Sequence, residues 1–130
     1  MLIYDSDIHS FHVGDEVVIR NDYDITLGSI PDSFIKAMYE TYGGKTLRVQ
    51  RISYSQEFDL INYPYVIHYL NTNGITCCKS DRISLSRYYL EDLNGIAIKN
   101  FVWNALMFSN WIHKQEIIDP SKLLDLYEWI

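Results

Sequence analysis

Four short groups of residues have types and spacings that chemistry uses. Asp5, Asp7, His9 and His12 form a D-x-D-x-H-x-x-H string that offers oxygen and nitrogen donors to a divalent cation. Spacing of two suits one face of a strand, but no second cluster follows to complete a coordination sphere, so the string reads as a solvated arm and no metal or cofactor is expected. Cys77 and Cys78 could supply a nucleophile with His68 opposite, if the two flank a hairpin turn. No third, activating group is evident, and alternation along a strand would put one cysteine in the core as a small hydrophobe. His113, beside Lys114 and Glu116, would be a general base only inside a cleft, and it reads as a surface residue. Gly43-Gly44-Lys45-Thr46 ends like a phosphate-binding loop, yet the leading glycine is missing and a helical pattern precedes it where a strand is required.

The elements that must position these groups follow from hydrophobic period. Phe11 to Asp22 reads as a first strand, with Phe11, Val13, Val17 and Ile19 on one parity and a bend at Gly14-Asp15. Asn21 to Pro31 is rich in breakers and reads as a loop. Asp32 or Ser33 then caps a helix carrying Phe34, Ile35, Met38, Tyr39 and Tyr42 at helical spacing, which Gly43-Gly44 ends. Lys45 to Ser53 alternates as a second strand. Tyr63 to Leu70, the turn Asn71-Thr72-Asn73-Gly74 and Ile75 to Cys78 read as a β-hairpin. A strand near Ile83 to Leu90 leads through Asn94-Gly95 into an antiparallel partner at Ile96 to Trp103, followed by one helical turn at Asn104 to Phe108. The last helix has Asp119 as cap and Pro120 at its first position, with Leu123, Leu124, Tyr127 and Ile130 along one stripe.

At 130 residues, 48% hydrophobic and 22% charged, the chain fits one domain able to bury roughly two-thirds of its unfolded surface. No run reaches the ~18 apolar residues that span a membrane, and the start has no basic, apolar leader. Adjacent cysteines make poor disulfide partners for each other, which points to a reducing, cytoplasmic setting. The net charge of -6 disfavours direct binding to a phosphate backbone. Residues 1 to 59 hold ten acids against five bases, a balance that attracts a basic protein surface.

Phe11, Val13-Gly14-Asp15, Val17, Ile19-Arg20, Asp22, Phe34, Met38, Tyr42, Gly44-Lys45, Tyr89-Leu90-Glu91-Asp92, Gly95, Val102-Trp103-Asn104 and Met107-Phe108 together resemble a family of small SH3-like barrels. Its members are phage, prophage and Firmicute proteins of unknown function, loosely similar to mind-bomb-type SH3-like domains. The resemblance covers about half of the chain. It departs at Asn104-Ala105-Leu106, where the family has acids, in an insertion at about 54–86, and in the added C-terminal helix.

The expected fold is therefore mainly β with added helices (α+β). It is a single 1–130 domain, an SH3-like, partly open antiparallel barrel with a short helix after the first strand, an N-terminal arm (1–10), an inserted hairpin and a C-terminal helix (119–130). The expected function is a non-enzymatic protein-binding module. By analogy with the phage proteins it resembles, it would be an anti-CRISPR-like inhibitor docking on a basic, nucleic-acid-binding effector. The expected contact residues are Asp15, Glu16, Asp22, Asp24, Asp32, Glu57, Asp59, Tyr63, Tyr65 and Tyr69, because SH3-like barrels bind through aromatic-lined grooves and acids steer a basic partner. Tyr23, Tyr54, Phe58, Trp103 and Trp111 are further aromatic candidates. A small Cys/His enzyme and a phage structural or assembly component are the alternatives.

Overall fold

A computed structural model of the chain describes residues 1–22 and 32–112. Its centre is a pair of long antiparallel strands, β3 (Thr46–Asp59) and β4 (Arg82–Glu91), flanked by β1 (Leu2–Tyr4) and β2 (Glu16–Val18) in the order β1-β4-β3-β2. β1 runs parallel to β4 and the other pairs are antiparallel, so the sheet is mixed and open. Helices α1 (Asp5–Ile8), α2 (Asp32–Tyr42) and α3 (Pro64–Thr72) complete an α+β fold.

The N-terminus corrects the expected arm. Leu2, Ile3 and Tyr4 pair with Arg82, Ile83 and Ser84, and the chain then turns into α1. The first expected strand shortens for a local reason. Gly14 adopts φ 94°, the amide of Asp15 donates to the carbonyl of His12, and this turn throws Val13 into solvent, so regular pairing starts only at Glu16. Val17 and Ile19 keep their place in the core.

α2 spans the expected segment, with Ile35, Met38 and Tyr39 buried and Phe34 exposed. The choice between Asp32 and Ser33 as its cap lies outside the described side chains. Its end is set by close approach. A Cβ on Gly43 would sit 2.4 Å from the carbonyl oxygen of Tyr39 and 2.8 Å from Oδ1 of Asn21. Gly44, at φ 77°, then brings its amide 2.7 Å from the carbonyl of Ile19 and ties the helix end to β2.

The expected hairpin at residues 63–78 is instead α3. Pro64 sits in its first turn, where a missing N–H costs nothing, and Val66 and Leu70 bury at i,i+4 spacing. Gly74, at φ 84°, follows the helix C-terminus and donates its amide to the carbonyl of Asn71 at 3.1 Å, so its turn ends a helix and joins no pair of strands. The ladder between β3 and β4 runs on to the pair Asp59 and Arg82, so the interruption begins at about residue 60, later than the 54–86 insertion read from sequence.

β4 buries opposite faces at its two ends. Ile83 and Leu85 are buried on one parity, Tyr88 and Leu90 on the other. Between these ends β3 carries a bulge, since Ser53 pairs with Arg87 and Gln56 with Leu85, leaving Tyr54 and Ser55 against Ser86 alone. Past Leu90, the expected Ile96 to Trp103 strand reduces to the bridges Glu91–Ala97 and Tyr88–Trp103. Residues 105–107 form the expected single turn, and the side chain of Asn104 accepts the amide of Leu106. Edge-on contacts among Phe11, Tyr88 and Phe108 at 5.4 to 6.0 Å, with Trp103 and Trp111 fully buried, make the core beneath it. The expected 119–130 helix lies outside the described residues.

Gly43→Ala is expected to destabilise the fold by about 2 kcal/mol, because backbone must shift to admit the methyl. Gly74→Ala meets open space and carries only the ~1 kcal/mol strain of a left-handed alanine. Urea unfolding of the two variants measures the difference.

Candidate interaction surface

The string of possible metal ligands is dispersed. Asp5 is buried, and its carboxylate accepts the Ser86 amide at 2.7 Å and the Ser86 hydroxyl at 3.4 Å. Burial pushes the Asp5 carboxyl above the usual carboxylate range, against the opposing pull of those hydrogen bonds. Asp7 points to solvent, His9 meets Phe11 edge-on at 4.7 Å, and His12 is exposed beside Asp15. Among the described residues no three His, Cys, Asp or Glu side chains converge as a metal site.

The two cysteines part company. Cys77 is buried, its thiol directed 3.9 Å from the carbonyl of Ile67, and burial, with Asp81 and Cys78 nearby, pushes that thiol up. Cys78 is exposed, with its sulfur 3.0 Å from the Ser80 hydroxyl. Asp81 braces the loop by accepting the Cys78 amide at 2.9 Å and pairing with the N-terminal amine at 3.0 Å. His68 lies exposed on α3, since helix has replaced the strand that would have set it opposite the sulfurs. His113, Lys114 and Glu116 lie outside the described residues.

The expected acidic residues do not form one face. Asp15 precedes β2 and Glu16 begins it, in register with Arg48. Glu57 and Asp59 lie at the other end of β3, about 30 Å away at ~3.3 Å per residue. Both grip one cation there, with Arg82 at 2.6 Å from Glu57 and 3.0 Å from Asp59. Asp22 pairs with Arg20 at 3.3 Å. Asp24 and the Asp32 side chain fall outside the described residues. Those undescribed stretches also hold Glu116, Asp119, Asp125 and Glu128, six acids against Lys114 and Lys122. They carry most of the excess negative charge, and the described body is close to balanced.

The tyrosines separate too. Tyr63 packs edge-on against Phe58 at 6.0 Å. Tyr69 takes a hydrogen bond from Arg20, whose guanidinium also lies 4.4 Å from the Tyr69 ring centre. Tyr65 stands free in the first turn of α3, 71% exposed, and Ile61 just before it is 62% exposed. Tyr54, at the bulge, is 83% exposed. Trp103 and Trp111 belong to the core, and Tyr23 is outside the described residues. The end of β3, the turn Leu60–Asn62 and the start of α3 thus gather Glu57, Asp59, Ile61 and Tyr65 within nine residues of chain.

Arg20 enters the sequence reading only through the resemblance, without a role in a site. It is buried, with Asp22 as its ionic partner, and among the described residues its Nε meets no hydrogen-bond partner. Its contacts with Tyr69 fasten α3 to the strand end, and burial raises the Tyr69 and Tyr39 phenols while the Arg20 charge opposes that rise. An arginine at the end of an apolar strand was the available signal.

No helix among the described residues is long and apolar enough to cross a membrane. Compared with protein families, with characterised proteins and with solved structures, the chain matches none.

Asp5→Ala leaves the Ser86 amide without its acceptor and is expected to cost about 1–3 kcal/mol, while Asp5→Asn keeps an acceptor and costs less. Because the folded state raises the Asp5 pKa, its contribution favours folding at acid pH and is lost as pH climbs from the ordinary value through the raised one. Urea titrations across that range should show the slope in the native chain and its loss in Asp5→Asn. A thiol reagent at neutral pH should label Cys78 promptly and Cys77 only on unfolding, read by peptide mass.

Proposed function

We propose that this protein is a non-enzymatic protein-binding module whose contact surface is the junction of β3 and α3. The observation that carries the reading is the exposure of Ile61 and Tyr65 beside Glu57 and Asp59. Two large side chains left in water four residues apart, on a stretch that also carries two carboxylates, have the composition of an interface centre. Two carboxylates share one arginine there, so the junction keeps a negative balance and favours a basic partner. Asp15 and Glu16 give a second, distant acidic pair that adds to long-range attraction without touching the same spot.

The resemblance of half of the sequence to small SH3-like phage proteins supplies a concrete version. In it the open sheet is a partly closed SH3-like barrel, and the partner is a host defence effector with a basic nucleic-acid groove. The charge balance supports a basic protein partner over nucleic acid itself.

The test is affinity purification from a host lysate, with the wild type against the double variant Ile61→Ser, Tyr65→Ala. The wild type should retain a basic protein whose binding weakens as salt rises, and the double variant should lose at least about tenfold in affinity, as truncation of an aromatic anchor does. A partner held equally by both forms, or held regardless of salt, would refute the reading.

A further inference from the structure

Just beyond β2, a short stretch of the outer edge of β3 is left without a partner. The last bonds on that side join Val49 to Gly14 and Asp15. Ile52 lies across from Tyr88, whose amide and carbonyl both bond to Trp103 on the far side of β4. Ile52 and Tyr88 therefore form a pair without mutual hydrogen bonds, and the amide and carbonyl of Ile52 point outward from the sheet edge. Among the described residues no hydrogen bond reaches either group. Neither lysine nor proline occurs from Gln50 to Ser55 to guard the edge. The one charge there, Arg51, is folded inward, its guanidinium 3.9 Å from the centre of the Tyr89 ring.

The face beside this edge is basic. Arg51 is in register with Tyr89 and Ser53 with Arg87, so Arg51 and Arg87 stand on the same face of the β3–β4 ribbon at diagonal corners of one block. Both are exposed. Arg87 bonds to the side-chain oxygen of Gln56 at 3.0 Å, and among the described residues no carboxylate comes within 4.0 Å of either guanidinium. Arg48 differs, because it pairs with Glu91 at 4.0 Å and has Glu16 across from it. The carboxylates of Glu57 and Asp59 lie across from Ser84 and Arg82, on the other parity of β4, and so belong to the opposite face. Two positive charges without counter-charge thus sit next to a strand edge without a partner.

We propose that an extended acidic segment of another protein adds to the sheet here, pairing with the amide and carbonyl of Ile52. A strand in that place sets the side chain across from Ile52 on one face and its two neighbours, across from Arg51 and Ser53, on the basic face. The fitting sequence is therefore acidic, apolar, acidic. One carboxylate meets Arg51, the apolar side chain covers Ile52, which is 37% exposed, and the second carboxylate passes over the small Ser53 toward Arg87. Pairing over three residues is in keeping with this sheet, since β1 and β2 each pair over three. The bulges at Gln50 and at Tyr54-Ser55 limit the regular stretch to that length. Nucleic acid fits less well. A phosphate backbone has no donor for the Ile52 carbonyl, and the Tyr89 ring on which a base would stack is already covered by Arg51. The proposal does not rest on the partner-binding reading above, whose carboxylates lie on the opposite face.

The probe is a fluorescein-labelled peptide of alternating glutamate and valine, read by fluorescence anisotropy against the purified full chain. The wild type should bind it, less tightly as salt rises, and should prefer it to a peptide of alternating lysine and valine and to an oligothymidylate of the same length. Arg51→Glu combined with Arg87→Glu should cut affinity for the glutamate peptide at least about tenfold and turn the preference to the lysine peptide. Ile52→Pro removes the outward amide and should weaken binding as well, whereas Ile52→Val keeps the amide and should not. No binding at peptide concentrations up to about 1 mM overturns the proposal. So does oligothymidylate bound more tightly than the peptide, or peptide binding that the arginine reversal or Ile52→Pro leaves unchanged. Far-UV circular dichroism confirms that each variant is folded, and the arginine reversal decides the question even if Ile52→Pro is not.

Discussion

The amide of Ser86 has no strand to donate to, and much of the fold is organised around that fact. β1 ends at Tyr4, two residues short of the level where Ser86 needs a partner, and the chain turns there into α1. The Asp5 carboxylate fills the position that a backbone carbonyl would have held, at 2.7 Å. The same residue's carbonyl accepts the indole N–H of Trp111 at 3.4 Å, so one residue closes the sheet edge and anchors the core. A buried amide left without an acceptor costs about 1–3 kcal/mol, a large share of a small domain's stability. This explains why an ionisable side chain is kept in the interior although burial raises its pKa.

The rest of the β4 edge is covered in the same piecemeal manner. The carbonyl of Met1 takes the amide of Arg82, β1 pairs next, Asp5 follows, Trp103 exchanges two bonds with Tyr88, and the amide of Ile98 donates to Leu90. The continuous stretch 1–5 and the two later points Ile98 and Trp103 therefore do the work of one long strand. This coverage matches the change of buried face along β4. The end near Ile83 and Leu85 buries one parity, and the end near Tyr88 and Leu90 buries the other beneath Phe11, Trp103 and Phe108. A flat ribbon cannot do this, and the bulge in β3 opposite Ser86 supplies the extra local twist.

The legible parts of the sequence were those governed by local rules. α2, its glycine end, β4, the Asn94-Gly95 reversal and the single turn after Asn104 all rest on residues within a few positions of one another. The segment from Tyr63 to Leu70 was misread because aromatic and branched residues favour strands, while Pro64 and the Val66–Leu70 spacing carried the helical signal. Asp5 looked like a surface ligand because its partner is 81 residues away. The acids of the first half looked like one patch because composition records sign and not place. Glu16, paired through β2 with one end of β3, is far from Glu57 at the other end, and Arg82 and Arg20 draw in three of the charges. Of the expected contact residues, Glu57 and Asp59 share Arg82 at the end of β3, and Tyr65 follows in the first turn of α3.

The asymmetry between the two edges of the central ribbon follows from how far each covering segment must travel. The edge of β4 is closed by contacts that span most of the chain, with Met1 near Asp81, Asp5 near Ser86 and Trp111 near Asp5. Such contacts form late, because loop closure must precede them. The β3–β4 ladder is nearer in sequence, joined by a 22-residue connection that α3 itself shortens. A chain that folds in this order holds two bare edges until its more distant segments arrive, and among the described residues those segments cover β4. Among the described residues the edge of β3 stays open beyond Val49 because β2 is only three residues long, and it is that short because Gly14 turns the preceding chain away from the sheet. The conformation of one glycine thus determines how much of β3 remains available to another strand.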